Sequence, residues 1–381
     1  MVGFSQRTLS ESLVRGDWIV FRCPALNLLF WQFTSNSENI SRCSLRARKP
    51  DIYDVRVCAF MNNFSSTDVF RLRNFGLPVM SSLTDMSREM RLSVELLTLL
   101  ITRADDFYKV YGVPKTGTEK GERVICQPSR RLKALQAWVL RNILDKLNSS
   151  PFSTGFERGQ SIKDNANPHV GSNFVLNIDL EDFFPSISSN KIYTVFNSLG
   201  YNKYISSVLT KICCFKNKLP QGSPASPKLA NLVCMRLDHR IHGYAGRRGI
   251  IFTRYADDIT LSAQSLKKIE KAKDFLFSII PTEQLTVNYK KVVISGPRKQ
   301  KKITGLVLSI DDVGIGRQKF REIKSKIHYL SVGRSHDYAH VGGLLAFTKS
   351  VDEKNHRRLV VFAQKMNKKF NLDLDKLFNL G

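Results

Sequence analysis

From Met61 onward, apolar and polar positions recur with readable periods. Ser82 to Met90 and Leu92 to Leu100 read as short helices, with Ser93 as an N-cap before Val94-Glu95-Leu96-Leu97. Phe107 to Tyr111 and Arg123 to Cys126 read as strands joined by the loop from Pro114 to Gly121, which carries Lys115 and Lys120. Arg131 to Leu147 then places Leu132, Leu135, Val139, Ile143 and Leu147 at helical spacing, leaving a basic outer face. Asn148-Ser149-Ser150-Pro151 ends that helix.

The centre mixes both periods. Phe174 to Asp179 reads as a strand, Ile250 to Tyr255 as another, and Ile259 to Ser262 as its return after Asp257-Asp258, making a tight hairpin. Helical patterns at Lys191 to Leu199, Pro227 to His242 and Leu266 to Ile280 separate these strands, and Val292 to Leu308 is again β-like. After about residue 315, Phe320, Ile323, Ile327 and Leu330 line one face of a helix while Lys319, Arg321, Lys324 and Lys326 fill the other. The expectation is an α+β fold with a basic helical C-terminal part. No internal repeat or low-complexity tract interrupts it.

Residues 1–60 show no clear helical or strand period, yet hold two of the three Trp and three of the seven Cys. That odd composition marks an atypical N-terminal segment, one that the native protein need not contain. The cysteines fall in no Cys-x-x-Cys pair or Cys/His cluster, so neither a disulfide framework nor a zinc site is expected.

Charge narrows the function. Lys and Arg number 59 against 33 Asp and Glu, a formal charge of +26, and most of that surplus lies beyond residue 60. Such a surplus points to a polyanionic partner, nucleic acid first. No apolar run approaches the ~20 residues that span a bilayer, and the first residues lack the pattern of a secretory signal. A cytoplasmic protein without membrane attachment is expected.

Nucleotidyl transfer needs two divalent ions about 3.5–4 Å apart, held by hard oxygen ligands. Adjacent carboxylates at a hairpin tip, Asp257-Asp258, meet that need when a third stands on a neighbouring strand, and Asp179 ends such a strand. Taken alone, an Asp-Asp pair fits a turn as well as a metal site, so the neighbouring motifs decide.

Asn177-Ile178-Asp179-Leu180-Glu181-Asp182-Phe183-Phe184-Pro185-Ser186-Ile187, Leu219-Pro220-Gln221-Gly222-Ser223-Pro224-Ala225-Ser226-Pro227 and Tyr255-Ala256-Asp257-Asp258 resemble three successive motifs of reverse transcriptases. Asn165-Ala166-Asn167-Pro168-His169 resembles the Asn-Ala-x-x-His signature of bacterial retron enzymes, and Ile303-Thr304-Gly305 their Val-Thr-Gly motif with Ile for Val. Phe70 to Pro78 resembles sequence near the start of these proteins. The likeness covers roughly residues 65 to 360.

The resemblance implies a right-hand polymerase with fingers over 61–170, a palm over 171–310 whose antiparallel sheet carries the Asp trio, and a helical thumb over 311–381. Asp179, Asp257 and Asp258, with the carbonyl of Leu180, become ligands of two Mg2+ ions. Phe184 lies under the sugar of a deoxynucleoside triphosphate and excludes a 2′-hydroxyl. Gln221 bonds sugar or base, and Gly222 lets the backbone approach. Arg123 grips the triphosphate, with Arg130, Arg131 and Lys133 as alternates. Lys291 stands near the pyrophosphate leaving group.

Asn165 and His169 become structural or RNA-contacting residues. Lys319, Arg321, Lys324 and Lys326 become thumb contacts to RNA phosphates, with Tyr329, His328 or Phe347 stacking on exposed bases. Retron enzymes copy part of a dedicated structured noncoding RNA into a branched RNA–DNA molecule, and many serve anti-phage defence with an effector protein. Two other readings remain open: a mobile group II intron-type reverse transcriptase, and a non-catalytic RNA-binding scaffold or antitoxin.

Overall fold

A computed structural model describes residues 18–22, 29–33, 66–114, 121–370 and 373–378. The chain divides into two units, Met1–Asp51 and Ile52–Gly381. In the first, β1 (Trp18–Arg22) pairs antiparallel with β2 (Leu29–Phe33). Both strands are rich in aromatic and β-branched residues, although the sequence pattern predicted no strand there. The remainder of residues 1–60 lies outside the described residues.

In the second unit, α1 (Ser66–Asn74), α2 (Leu83–Met90) and α3 (Val94–Thr102) lead the chain. Ser82 and Asp85 form a capping box that starts α2, and the left-handed Arg91 ends it. Ser93 caps α3 as expected, its hydroxyl accepting from Leu96 N at 3.3 Å. β3 (Tyr108–Pro114) and β4 (Glu122–Pro128) then pair along their whole length. The basic loop between them lies outside the described residues. α4 (Arg130–Asn142) stops short of the expected Leu147, its last turn passing into a 3-10 turn at Leu144–Lys146.

After α5 (Ile162–Ala166) comes β5 (Phe174–Glu181), the central strand of the main sheet. It is followed by α6 (Phe183–Ser186), α7 (Ser189–Ser198), α8 (Lys203–Cys213) and α9 (Ser226–Gly246). The hairpin β6 (Ile251–Tyr255) and β7 (Asp258–Ala263) joins one edge of β5. α10 (Leu266–Ile279) follows, and then β8 (Thr286–Val287) and β9 (Val293–Ser295) pair with β5 on its other side. All these pairings are antiparallel.

Side-chain alternation divides this sheet into two chemistries. On one face Leu176, Ile178, Leu180, Ile259 and Leu261 are buried in the main core with Leu229, Leu237 and Ile241 of α9 and Leu276 of α10. Each such buried aliphatic side chain contributes roughly 1.5–3 kcal/mol. The opposite face carries Asp179, Asn177, Asp258, Thr260 and Thr253. The register places Asp179 opposite Asp258 and Asn177 opposite Thr260. Burying the apolar set beneath helices therefore turns the carboxylates outward, and a one-residue slip would invert both faces.

A second core gathers β10 (Lys302–Ile303), β11 (Leu306–Leu308) and β12 (Val313–Gly314) with α11 (Gly316–Ser331), α12 (Tyr338–Val351), α13 (Glu353–Phe370) and α14 (Leu374–Phe378). Its buried members are Ala166 of α5, Val175 of β5 and a set that runs from Ile303 to Leu377, and the expected boundary at 310 falls between two strands of one sheet. Buried Asp352 ties the layers together. Its carboxylate accepts from Ile315 N at 3.0 Å and from Asn355 Nδ2 at 2.7 Å.

Candidate active site

The β6–β7 pairing closes with Tyr255 opposite Asp258, leaving Ala256 and Asp257 as a two-residue turn. Ala256 has φ +57°, and of the two central residues only it is positive, as in a type II′ turn whose usual first residue is Gly. An alanine there costs roughly 1–2 kcal/mol, so surrounding contacts must hold the turn.

Those contacts come from both sides. Leu180 N donates to Asp257 O at 3.1 Å. Arg254, fully buried, donates from Nη1 to Ala256 O at 2.9 Å. Its Nε and Nη2 grip Asp238 of α9 at 2.7 and 2.8 Å. Burial pulls the guanidinium's pKa down, but the charge and hydrogen bonds of Asp238, with Cys234 and Glu157 adding, together outweigh it, and the net shift is upward. Asn231, also on α9, accepts from Arg254 Nη1 at 3.1 Å and donates to Gly155 O at 2.7 Å and to Glu157 Oε1 at 2.8 Å. Gly155 lies so close to the turn that a Cβ there would stand 2.6 Å from Ala256 N.

Three carboxylates meet around this turn. Burial, then the charges of Asp257 and Asp179, pushes Asp258 up to about 6 against the opposing effect of Lys291. Asp257 is also raised, chiefly by burial and with Asp179 adding, while Lys291 and Arg123 act to lower it. Asp179 is held differently. Its Oδ2 lies 3.2 Å from Lys291 Nζ and 3.1 Å from Asn288 Nδ2, and its carbonyl accepts from Asn288 N at 2.8 Å. Among the described residues no three His, Cys, Asp or Glu side chains already enclose a point where an ion would sit. The donor set still fits hard divalent cations: desolvated, mutually repelling carboxylates lose their repulsion when a cation stands between them.

Three further residues carry the expectation of a nucleotide site. Arg123 is exposed on β4, and its charge reaches Asp257. Gln221 O accepts from Cys126 N at 2.8 Å. Gly222 has φ +134° and sits where a Cβ would be 2.7 Å from Cys126 O, so this loop docks on β4 only without a side chain. Half-buried Phe184 packs against Phe183 with ring centroids 5.5 Å apart and against Phe156 at 6.1 Å.

The family model described as reverse transcriptase (RNA-dependent DNA polymerase) matches residues 113–332. The retron Ec86 reverse transcriptase of Escherichia coli is 64% identical over 310 residues, covering 81% of this chain and 97% of that protein. The chain belongs to the retron reverse transcriptases. The retron Mx65 reverse transcriptase of Myxococcus xanthus is 30% identical over 355 residues, covering 86% and 80% of the two chains. Among solved structures, telomerase from Candida albicans superposes with a TM-score of 0.41 and 13% identity, covering 72% of this chain and 60% of that one. The antiparallel sheet bearing the trio is thus the palm of an RNA-directed DNA polymerase, a family whose members generally use divalent metal ions. No helix among the described residues of this retron enzyme is long and apolar enough to cross a membrane.

Two roles were open for Asn165 and His169 of the retron reverse transcriptase, structural or RNA-contacting. Asn165 and His169 are both fully buried, so neither presents surface to RNA. His169 bridges the two strands of the hairpin on the face that carries the carboxylates, Nδ1 to Ser262 Oγ at 2.7 Å and Nε2 to Thr253 Oγ1 at 2.8 Å, and burial lowers its pKa to about 4. Asn165 Oδ1 accepts from Thr154 Oγ1 at 2.9 Å. On α11, Lys319 and Lys326 pair with Glu322 at 3.1 and 3.6 Å, Lys324 lies 4.7 Å from the Phe362 ring centre, and Arg321 is exposed.

Sequence reasoning passed over Arg254, Asp238, Asn231, Gly155 and Phe156. Arg254 had a signal: an Arg inside the apolar run of a buried strand requires a partner. The others carry no local mark of their role.

Proposed function

We propose that Asp179, Asp257 and Asp258, with the carbonyl of Leu180, hold two Mg2+ ions, and that the enzyme copies a dedicated structured noncoding RNA into branched RNA–DNA. The reading rests on one observation: the β5–β7 register sets Asp179 opposite Asp258, on the turn that also carries Asp257. Bound there, the metal pair would supply charge stabilisation for the attacking and leaving oxygens. The protein's own groups position and neutralise. Arg123 binds triphosphate oxygens, Gln221 the sugar or base, and Lys291 the departing pyrophosphate. Phe184 lies under the sugar and discriminates against a 2′-hydroxyl. Exposed Arg321, Lys324 and their neighbours on α11 hold RNA phosphates, with a charge of +26 over the whole chain as support.

Retron kinship supports a cytoplasmic place in anti-phage defence beside an effector protein. Asp257→Asn removes a metal ligand and no basic contact, so primer extension is expected to vanish while RNA binding persists. Full extension by that variant would reject the mechanism. Sequencing the nucleic acid that copurifies with the enzyme would identify the RNA, and an intron in place of a compact structured RNA would reject the retron role.

A further inference from the structure

We infer that Phe156 is a positioning residue for sugar selection, holding the Phe184 ring in place at the mouth of the active site. The inference rests on the reading of Phe184 as the sugar gate. Phe156 is a bulky residue with φ +61°, a backbone conformation that favours glycine. Even so, the residue is 45% exposed, so core packing does not explain its presence. Its neighbours fix where it points. Gly155 is jammed against Ala256 N, and Glu157 is held by Lys228 Nζ at 2.7 Å and Asn231 Nδ2 at 2.8 Å. Between these anchors only Phe156 turns outward. It meets Phe184 at 6.1 Å and Tyr255 at 6.3 Å between ring centroids, with tilted planes.

Phe156 therefore bridges α6, which follows the strand of Asp179, and the end of β6, beside the turn that carries Asp257. Phe183 sits at 5.5 Å from Phe184 and Phe156 at 6.1 Å. Removing Phe156 leaves the Phe184 ring freer to yield to a 2′-hydroxyl. Discrimination between sugars then falls, with the carboxylates untouched.

The test is single-nucleotide extension on an RNA template, comparing the efficiency ratio for a ribonucleotide and its deoxy counterpart. Phe156→Gly, which also relieves the backbone, is expected to raise the ribo-to-deoxy ratio roughly three- to tenfold, the scale of one lost aromatic contact. Phe156→Tyr, which keeps the ring, is expected to hold the ratio. A merely structural loop would lower both efficiencies together and leave their ratio alone. The control is Phe184→Val. An unchanged ratio in Phe156→Gly with a raised one in Phe184→Val overturns the inference alone. An unchanged ratio in Phe184→Val overturns the sugar-gate reading and this inference with it.

Discussion

Replacing Arg254 tests the support beneath the turn that carries Asp257. Both Arg254 and Asp238 are fully buried, and the guanidinium makes two bonds to Asp238, one to Asn231 and one to Ala256 O. Arg254→Met strands the Asp238 carboxylate in the core. Breaking a buried pair in this way costs about 3–5 kcal/mol, and for a chain of this length the unfolding temperature should fall by roughly 4–7 °C. Arg254→Met with Asp238→Leu removes both charges and should recover most of that stability, because an apolar pair of similar volume replaces the ions. Extension should not recover. The Ala256 carbonyl still lacks its donor, and a turn already strained at φ +57° loses a restraint, so at least a tenfold loss is expected, equivalent to ~1.4 kcal/mol. Thermal unfolding and primer extension on both variants separate the two effects. Wild-type extension by the double variant would refute a positioning role for the guanidinium.

Asp258 titrates at about 6, above its ordinary 3.8, so its contribution to stability is present below pH ~4 and lost as pH rises through ~6. In the presence of a chelator, Asp258→Asn should therefore gain about 1–2 kcal/mol at pH 8, after discounting for solvent screening, and nothing below pH 4; urea titrations showing no pH-dependent gain would refute this. His169→Ala takes one of two buried partners from each of the Ser262 and Thr253 hydroxyls, which keep Ser172 Oγ and Asn165 O, and should cost about 1–3 kcal/mol, with RNA affinity unchanged below the melting range; a selective loss of RNA affinity would restore the contact reading. RNA affinity should fall steeply with salt, by roughly 10³ or more between 50 and 200 mM if six or more phosphates are contacted, and a flat dependence measured by filter binding would reject phosphate-dominated binding.

The palm hairpin was legible because its signal is local: strand-forming runs on either side of Ala256-Asp257, and an Asp at the end of another run. The Ser93 cap and the α11 face were legible for the same reason. The direction of Asn165 and His169 was not, since which way a short helix presents its side chains depends on the strands behind it, here Thr253 and Ser262, more than 80 residues on. The Arg254 support was hidden likewise. It joins β6 to α9 and to the loop at 153–157, and only the folded sheet brings these together. The early end of α4 reflects tertiary packing over a periodicity that continues to Leu147.

The loop at 152–155 docks along β6 through Arg254 N to Phe152 O at 2.8 Å and Thr154 N to Arg254 O at 2.9 Å, about 100 residues apart in sequence. Contacts of that separation close late in folding, because the entropy of the intervening chain must be lost before they form. This seam lies at the edge of the sheet, where local opening is easier than in the core. The catalytic turn is thus expected to mature last and to loosen first. On mild heating, polymerisation should cease while helical content and bound RNA are still retained, so that inactivation precedes melting.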